Sequence, residues 1–169
     1  NQKKSAFKLM LIYLMTQIGL LFADFYTVSS FSDKKYISKR FISTSKVAIR
    51  PNWVDTNKTI DSSVKINNRL LSVGRLEKQK NYEYLITALK GTDIGLDIVG
   101  EGSLRDKLEI LASDNKVDVR FLGKMPNSKL LVLYYKYMYF VSSSLYEGNP
   151  KVVLEAMSSG CIVLINRNR

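Results

Sequence analysis

Histidine is absent from this chain of 169 residues, cysteine occurs once and proline three times. Without histidine there is no Ser-His-Asp triad and no imidazole metal ligand. The lone Cys161 allows no disulfide within the chain, and its place at the head of an apolar stretch reads as core rather than nucleophile. No Asp-x-Asp pair stands at the end of a predicted strand, so magnesium or manganese has no evident ligands and no metal is expected. Acid is also scarce. Asp and Glu number 15 against 26 Lys and Arg, for a net charge of +11. The basic residues are scattered, as in Lys34-Lys35, Lys39-Arg40 and Lys78-Gln79-Lys80, and no nucleic-acid motif accompanies them, so nucleic acid is not expected as a partner. What the chain does have is a hydrophobic share of 46%, enough to exclude disorder, and a length that buries one core of ordinary size.

The most informative stretch runs from Ser144 to Gly160. It reads as a loop presenting Glu147 and Gly148, followed by a helix. Asn149 suits the N-cap, Pro150 the first helical position, and Gly160 a left-handed stop. The first-turn amides, at Lys151 and Val152, then point at the space beside Glu147 and make an anion site. Glu155 follows eight residues after Glu147 on a helix whose side chains lean back toward its start. Amides for a diphosphate and carboxylates for hydroxyl groups suit a sugar nucleotide.

Upstream, Arg69–Val73 reads as a buried strand ending in a turn at Gly74, with a helix over Tyr82–Lys90 that buries Leu85, Ile86 and Leu89. Arg75 and Lys80 leave the carboxyl end of that strand, where open α/β sheets bind ligands, while Lys78 reads as solvated surface. Further strand–turn–helix units follow. Gly95–Val99 leads into the turn Gly100-Glu101-Gly102 and a helix with Leu104, Leu108 and Leu111 on one face. Val117–Leu122 stops at Gly123, just before Lys124 and Met125. A strand over Met138–Ser143 delivers the chain to the Glu147 loop, and Cys161–Ile165 forms the last strand. Tyr134, Tyr135, Tyr137 and Tyr139 are expected to cover an outer helix and the strand behind it. Strands alternating with helices at this rhythm predict an α/β fold, a parallel sheet with helices on both faces.

Glu147, Glu155, the following Ala-Met and Gly160, together with the Gly-Arg-Leu turn at Gly74 and the later Lys80, resemble the donor site of retaining family 4 glycosyltransferases of GT-B architecture. The resemblance implies a Rossmann-like donor domain and transfer of a sugar from a nucleotide-diphosphate donor to an acceptor hydroxyl, with retention and without a metal. It implies Glu147, Arg75 and Lys80 as the catalytic group. Donor contacts would come from Gly74, Arg75, Lys80, Glu147, Gly148, Asn149, Pro150, Lys151, Val152 and Glu155, with Lys124 and Met125 as weaker candidates against the base. Many relatives carry Phe and Gly where this chain has Asn149 and Pro150, which leaves the sugar open. A non-catalytic sugar-nucleotide-binding subunit is the alternative reading. The acceptor implied is a saccharide or a lipid-linked one in envelope polysaccharide synthesis, which places the protein in the cytoplasm or at the inner face of the cell membrane.

The first fifty residues read differently: a helix over Gln2–Phe22, a strand over Ala23–Ser30 that ends in serines, a helix over Ser32–Phe41 capped by serine and Asp33, and a strand from Lys46 into Arg50-Pro51-Asn52-Trp53-Val54-Asp55. By resemblance residues 1–50 are the tail of an acceptor domain and the hinge, and residues 51–169 the donor domain, with Thr56–Asn67 a loop. The chain is then expected to be a fragment, incomplete at both ends and inactive alone. Its charge suits an anionic membrane surface, where each basic residue gains about 1 kcal/mol. The uncharged run Leu9–Ala23 falls short of the roughly twenty residues a bilayer core requires, and the helix is expected to pack against the missing acceptor domain.

Overall fold

The computed structural model describes residues 2–41, 47–54 and 65–166, with the side chains of residues 2–6 left aside. Lys46, Asp55 and most of the expected Thr56–Asn67 loop lie outside the described residues, as do residues 167–169. The chain divides into two compact units, Asn1–Asn52 and Trp53–Arg169.

The first unit contains α1 (Gln2–Phe22), β1 (Tyr26–Val28), α2 (Phe31–Arg40) and β2 (Val47–Ile49), with β1 and β2 paired in parallel. The strand expected over Ala23–Ser30 is only three residues long. Helix α2 starts one residue earlier than expected because Ser30 caps it: its Oγ accepts from the Asp33 amide at 3.1 Å. The Asp33 carboxylate in turn accepts from Ser29 Oγ at 2.8 Å, and the Ser30 and Ser29 hydroxyls hold the Asp33 carboxyl below its ordinary range. Helix α1 leaves Phe7, Met10, Met15 and Phe22 exposed. Among the described residues no helix is long and apolar enough to cross a membrane.

The second unit is an α/β sandwich. Its strands are β3 (Ile66–Val73), β4 (Gly95–Val99), β5 (Val119–Phe121), β6 (Tyr137–Ser142) and β7 (Ile162–Ile165). They form one five-stranded sheet in the order β5-β4-β3-β6-β7, with every neighbouring pair parallel. The helices are α3 (Tyr82–Ala88), α4 (Arg105–Asn115), α5 (Asn127–Lys136) and α6 (Lys151–Ser158). Successive residues of a strand face opposite sides. Leu70 therefore enters one core with Ile86, Leu96, Ile98 and Leu108, under α3 and α4. Leu71 enters the other with Tyr134, Phe140, Ala156 and Cys161, under α5 and α6. A fully buried leucine of this kind contributes about 1.5–3 kcal/mol.

Two expectations need correction. Asn67 belongs to β3, which begins at Ile66 and pairs with Tyr137 across a register irregularity; the polar start of the strand stays exposed, so its pattern read as loop. The cap of α6 is Pro150, not Asn149, and the helix begins at Lys151. The proline ring holds φ at −72°, but ψ is 110°, still extended, so Pro150 is the last residue before the helix rather than the first within it.

Candidate functional site

In this sheet the chain moves outward from β3 to β4 and β5, then returns to the other side of β3 as β6. The loops leaving the carboxyl ends of β3 and β6 therefore diverge and open a crevice, the place where open α/β sheets take ligands. The β3 loop runs from Gly74 to Asn81 and the β6 loop from Ser143 to Pro150. Lys80 Nζ and Glu147 Oε1 form an ion pair between these two loops, 67 positions apart in the chain. Both side chains are largely covered, 17% and 20% exposed, so the pair is screened less than a surface pair.

Local structure explains the meeting. At Gly74 an added Cβ would lie 2.7 Å from Lys80 Cε, so a larger residue would push the lysine stem aside from its course across the turn. After a 3-10 turn over Lys78–Lys80, Asn81 adopts a left-handed conformation (φ 54°) and redirects the chain into α3. The β6 loop is then tied to this segment. Ser143 Oγ donates to the carbonyls of Lys80 at 2.7 Å and Asn81 at 3.2 Å, the Leu145 amide donates to Gln79 O at 2.8 Å, and Gln79 Nε2 donates to Tyr146 O at 3.0 Å.

The next turn outward braces the first. Gly100-Glu101-Gly102 supplies Glu101 O to the Leu76 amide at 2.9 Å, while Leu76 O accepts from the Leu104 amide at 3.0 Å. An added Cβ at Gly102 would lie 2.5 Å from Leu76 O, so close approach requires glycine there. Glu77 accepts from the Ser103 amide at 3.0 Å and from Ser103 Oγ at 3.1 Å. The amide, then the hydroxyl, hold the Glu77 carboxyl below its usual range, with the nearby Arg75 charge adding to them.

On the other side of the crevice a cleft of about 300 Å³ opens between the ends of β6 and β7 and the start of α6, lined by Ser142, Ser144, Glu147, Gly148, Pro150 and Asn166. Glu155 does not line it. It is buried, 3% exposed, with Tyr134 Oη donating to Oε2 at 3.4 Å and Lys151 Nζ 3.6 Å from Oε1. Burial and the adjacent Glu155 push the Tyr134 phenol upward. The helix stops as expected: Gly160 is left-handed (φ 72°), and Lys65 Nζ donates to Ser159 O at 2.9 Å and Gly160 O at 2.7 Å.

The structure thus brings together Gly74, Lys80 and Glu147, and Glu147 shares its cleft with Gly148 and Pro150; Asn149 and Lys151 flank Pro150 in the chain, while Val152 packs on the α5/α6 core. Arg75 is exposed on the same turn. Lys124, exposed, and Met125, partly packed on the α5/α6 core, stand on the loop after β5, three positions along the sheet order from β6. Cys161 is buried, donates to Tyr134 O at 3.2 Å, and has its thiol pushed up by burial. Among the described residues no group of three or more His, Cys, Asp or Glu is placed to share a metal ion. Sequence reasoning overlooked Ser143 and Tyr134. The run Ser142-Ser143-Ser144 at a strand end was the available signal for the first; a tyrosine on an apolar helix face gave none for the second.

Comparisons with known proteins bear on the fold and the family. The chain is 31% identical over 149 residues to an α-1,4-N-acetyl-D-galactosaminyltransferase of Campylobacter jejuni named for a GalNAc–GalNAc–diNAcBac–diphosphoundecaprenol, covering 85% of this chain and 41% of the relative. The chain therefore spans less than half the length of that relative. Among solved structures, the Anabaena protein HepE in complex with UDP and glucose superimposes with a TM-score of 0.75 at 19% identity, over 89% of this chain and 47% of its own. The pneumococcal O-GlcNAc transferase GtfA, in complex with UDP and GlcNAc, gives 0.74 at 20% identity, over 87% and 31%. Both likenesses concern the fold, the parallel Rossmann-like sheet of GT-B glycosyltransferases. Over residues 55–169, more than half of its length, the sequence matches the family of glycosyl transferases group 1, and the chain belongs to that family.

Proposed function

We propose that residues 51–169 form the donor-binding domain of a retaining, metal-independent glycosyltransferase, which moves a sugar from a nucleotide diphosphate to an acceptor hydroxyl. Residues 1–50 are read as the end of the acceptor-side domain. The observation that carries this reading is the meeting of Lys80 and Glu147 at the switch point of the sheet. A departing nucleoside diphosphate gathers negative charge, and Lys80 and Arg75 stand on the turn where that charge would develop. Preorganised donors of this kind contribute about 3–4 kcal/mol each to such a step. Before donor arrives, Glu147 neutralises Lys80; in the complex its carboxylate would turn to the sugar hydroxyls while the lysine takes the phosphate. The first amides of α6, with Gly148 and Asn149, would meet the sugar and phosphate, and Lys124 and Met125 the base; Glu155, buried in the free chain, would reach the ribose hydroxyls only by giving up its contacts with Lys151 and Tyr134. The acceptor is proposed to be a saccharide or lipid-linked hydroxyl in envelope polysaccharide synthesis, reached in the cytoplasm or at an anionic membrane surface; the Campylobacter relative is likewise named for a lipid-linked glycan.

Calorimetry with UDP, GDP and ADP tests this. One nucleotide is expected to bind the parent chain, with Arg75→Ala and Glu155→Ala each weakening it about tenfold or more, the scale of one charge-assisted hydrogen bond. A folded parent chain that binds none of the three would overturn the reading.

A further inference from the structure

We propose that Ser143 is a positioning residue for the donor site: its hydroxyl sets the register between the loop that carries Lys80 and the loop that carries Glu147. The inference rests on the donor reading of Lys80 and goes beyond it by assigning the part that holds the lysine in place.

Ser143 is the first residue after β6. Its Oγ donates to Lys80 O at 2.7 Å and reaches Asn81 O at 3.2 Å. The shorter bond ends on the backbone of the residue whose ammonium group faces the crevice. A lysine side chain has four rotatable carbons, and ordering it costs up to about 2 kcal/mol of rotamer entropy. Fixing its backbone and the Glu147 loop to one another shortens the list of conformations in which Nζ misses its target. The left-handed turn at Asn81 presents both carbonyls to the β6 loop, so the hydroxyl spans the joint at its tightest point.

Besides the Lys80–Glu147 ion pair, hydrogen bonds from the Leu145 amide to Gln79 O and from Gln79 Nε2 to Tyr146 O cross the same joint. Neither hydrogen bond involves Lys80 itself, and the second is exposed. Ser143 is only 6% exposed, so water does not readily take the place of a deleted hydroxyl. Ser143→Ala therefore leaves the two loops joined but frees the Lys80 peptide to move.

The test is UDP, GDP and ADP binding, by calorimetry on the folded chain, of the parent, Ser143→Ala, Ser143→Thr, Lys80→Ala and the double variant. Ser143→Ala is expected to weaken the bound nucleotide about tenfold, in line with one lost hydrogen bond, while Ser143→Thr, which keeps the hydroxyl, retains most of the affinity. Because the serine acts through Lys80, adding Ser143→Ala to Lys80→Ala should produce no further loss. A loss of equal size in both backgrounds means general loosening and overturns the proposal, as does parent-like binding by Ser143→Ala. If Lys80→Ala itself binds normally, the donor reading of Lys80 fails and the proposal falls with it. If Lys80→Ala weakens binding and Ser143→Ala does not, Ser143 alone is misassigned. Melting curves accompany each variant. Should Ser143→Ala melt below the assay temperature, Ser143→Cys, of near-equal size but a poorer donor, takes its place in the same cycle and must show the same dependence on Lys80.

Discussion

Two places on the five-stranded sheet pair a cation with a carboxylate, and the two pairs differ in everything that surrounds them. In the amino half of β3, Arg69 donates to Asp97 through Nη2 at 2.5 Å and Nε at 2.9 Å, and also pairs with Asp118. Tyr137 Oη donates to the second Asp97 oxygen. Arg69 and Asp97 are 8% and 3% exposed, and Gly95 is the residue that leaves room for the guanidinium. Burial, reinforced by Asp97, pushes the Tyr137 phenol upward. Arg69 and Asp97 are each partnered more than once there. At the carboxyl end, Lys80 and Glu147 form a salt bridge between two loops beside an open cleft. A planar, multiply bonded arginine suits a fixed girder, and a single lysine on a mobile stem suits a site that must exchange partners. The difference teaches that similar charges on one sheet serve structure where their bonds are saturated and, in the donor reading proposed above, binding where they are not.

The largest effect is expected at the girder. Asp97→Ala leaves the Arg69 charge buried without its main partner, and urea unfolding should show a loss of about 3–5 kcal/mol. Were Asp97→Ala to unfold like the parent, the contrast between the two pairs would collapse. Next comes the site. Lys80→Ala should lower nucleoside diphosphate affinity by about 1.5–3 kcal/mol, roughly tenfold to a hundredfold, with little change in melting temperature. A large drop in melting temperature would instead make Lys80 part of the framework.

The smallest effect concerns acid. The hydrogen bond from Arg69, helped by its charge, holds the Asp118 carboxyl below its ordinary value of 3.8. A depressed folded pKa contributes stability that is complete above the unfolded value and lost as pH falls through the folded one. Melting curves taken from neutral pH down through pH 4 and below should therefore steepen less for Asp118→Asn than for the parent. The difference will be modest, because the Asp118 side chain is 64% exposed and solvent screens it. Identical acid limbs in the two chains would show that Asp118 is no part of the girder.

Much of the second unit was legible in the residue order. The alternation of apolar strands with glycine turns and amphipathic helices predicted the parallel sheet, and the burial of Leu71, Leu85, Ile86, Leu89 and Leu108 followed from spacing alone. Gly160 was readable as a stop because its left-handed φ is a local property. Ends of elements were less legible. Pro150 fixes φ but not ψ, and Asn67 pairs as a strand because β6 lies beside it, not because its own side chain favours extension. The girder was invisible: Arg69, Asp97 and Tyr137 are 28 and 40 positions apart along the chain. Nothing in a local window tells a buried arginine from the exposed start of a strand.

By itself the sequence determined the alternating elements, the two-faced core and the residues at the ends of β3 and β6, since these follow from periodicity and from the conformations that glycine and proline allow. Only the tertiary structure decided that Lys80 meets Glu147, that Ser143 joins their loops, and that Glu155 lies buried against Tyr134 rather than open beside Glu147. The reason is topological. The order β5-β4-β3-β6-β7 sets the first and fourth strands of this unit side by side, and the crevice exists only once the chain has returned across the sheet.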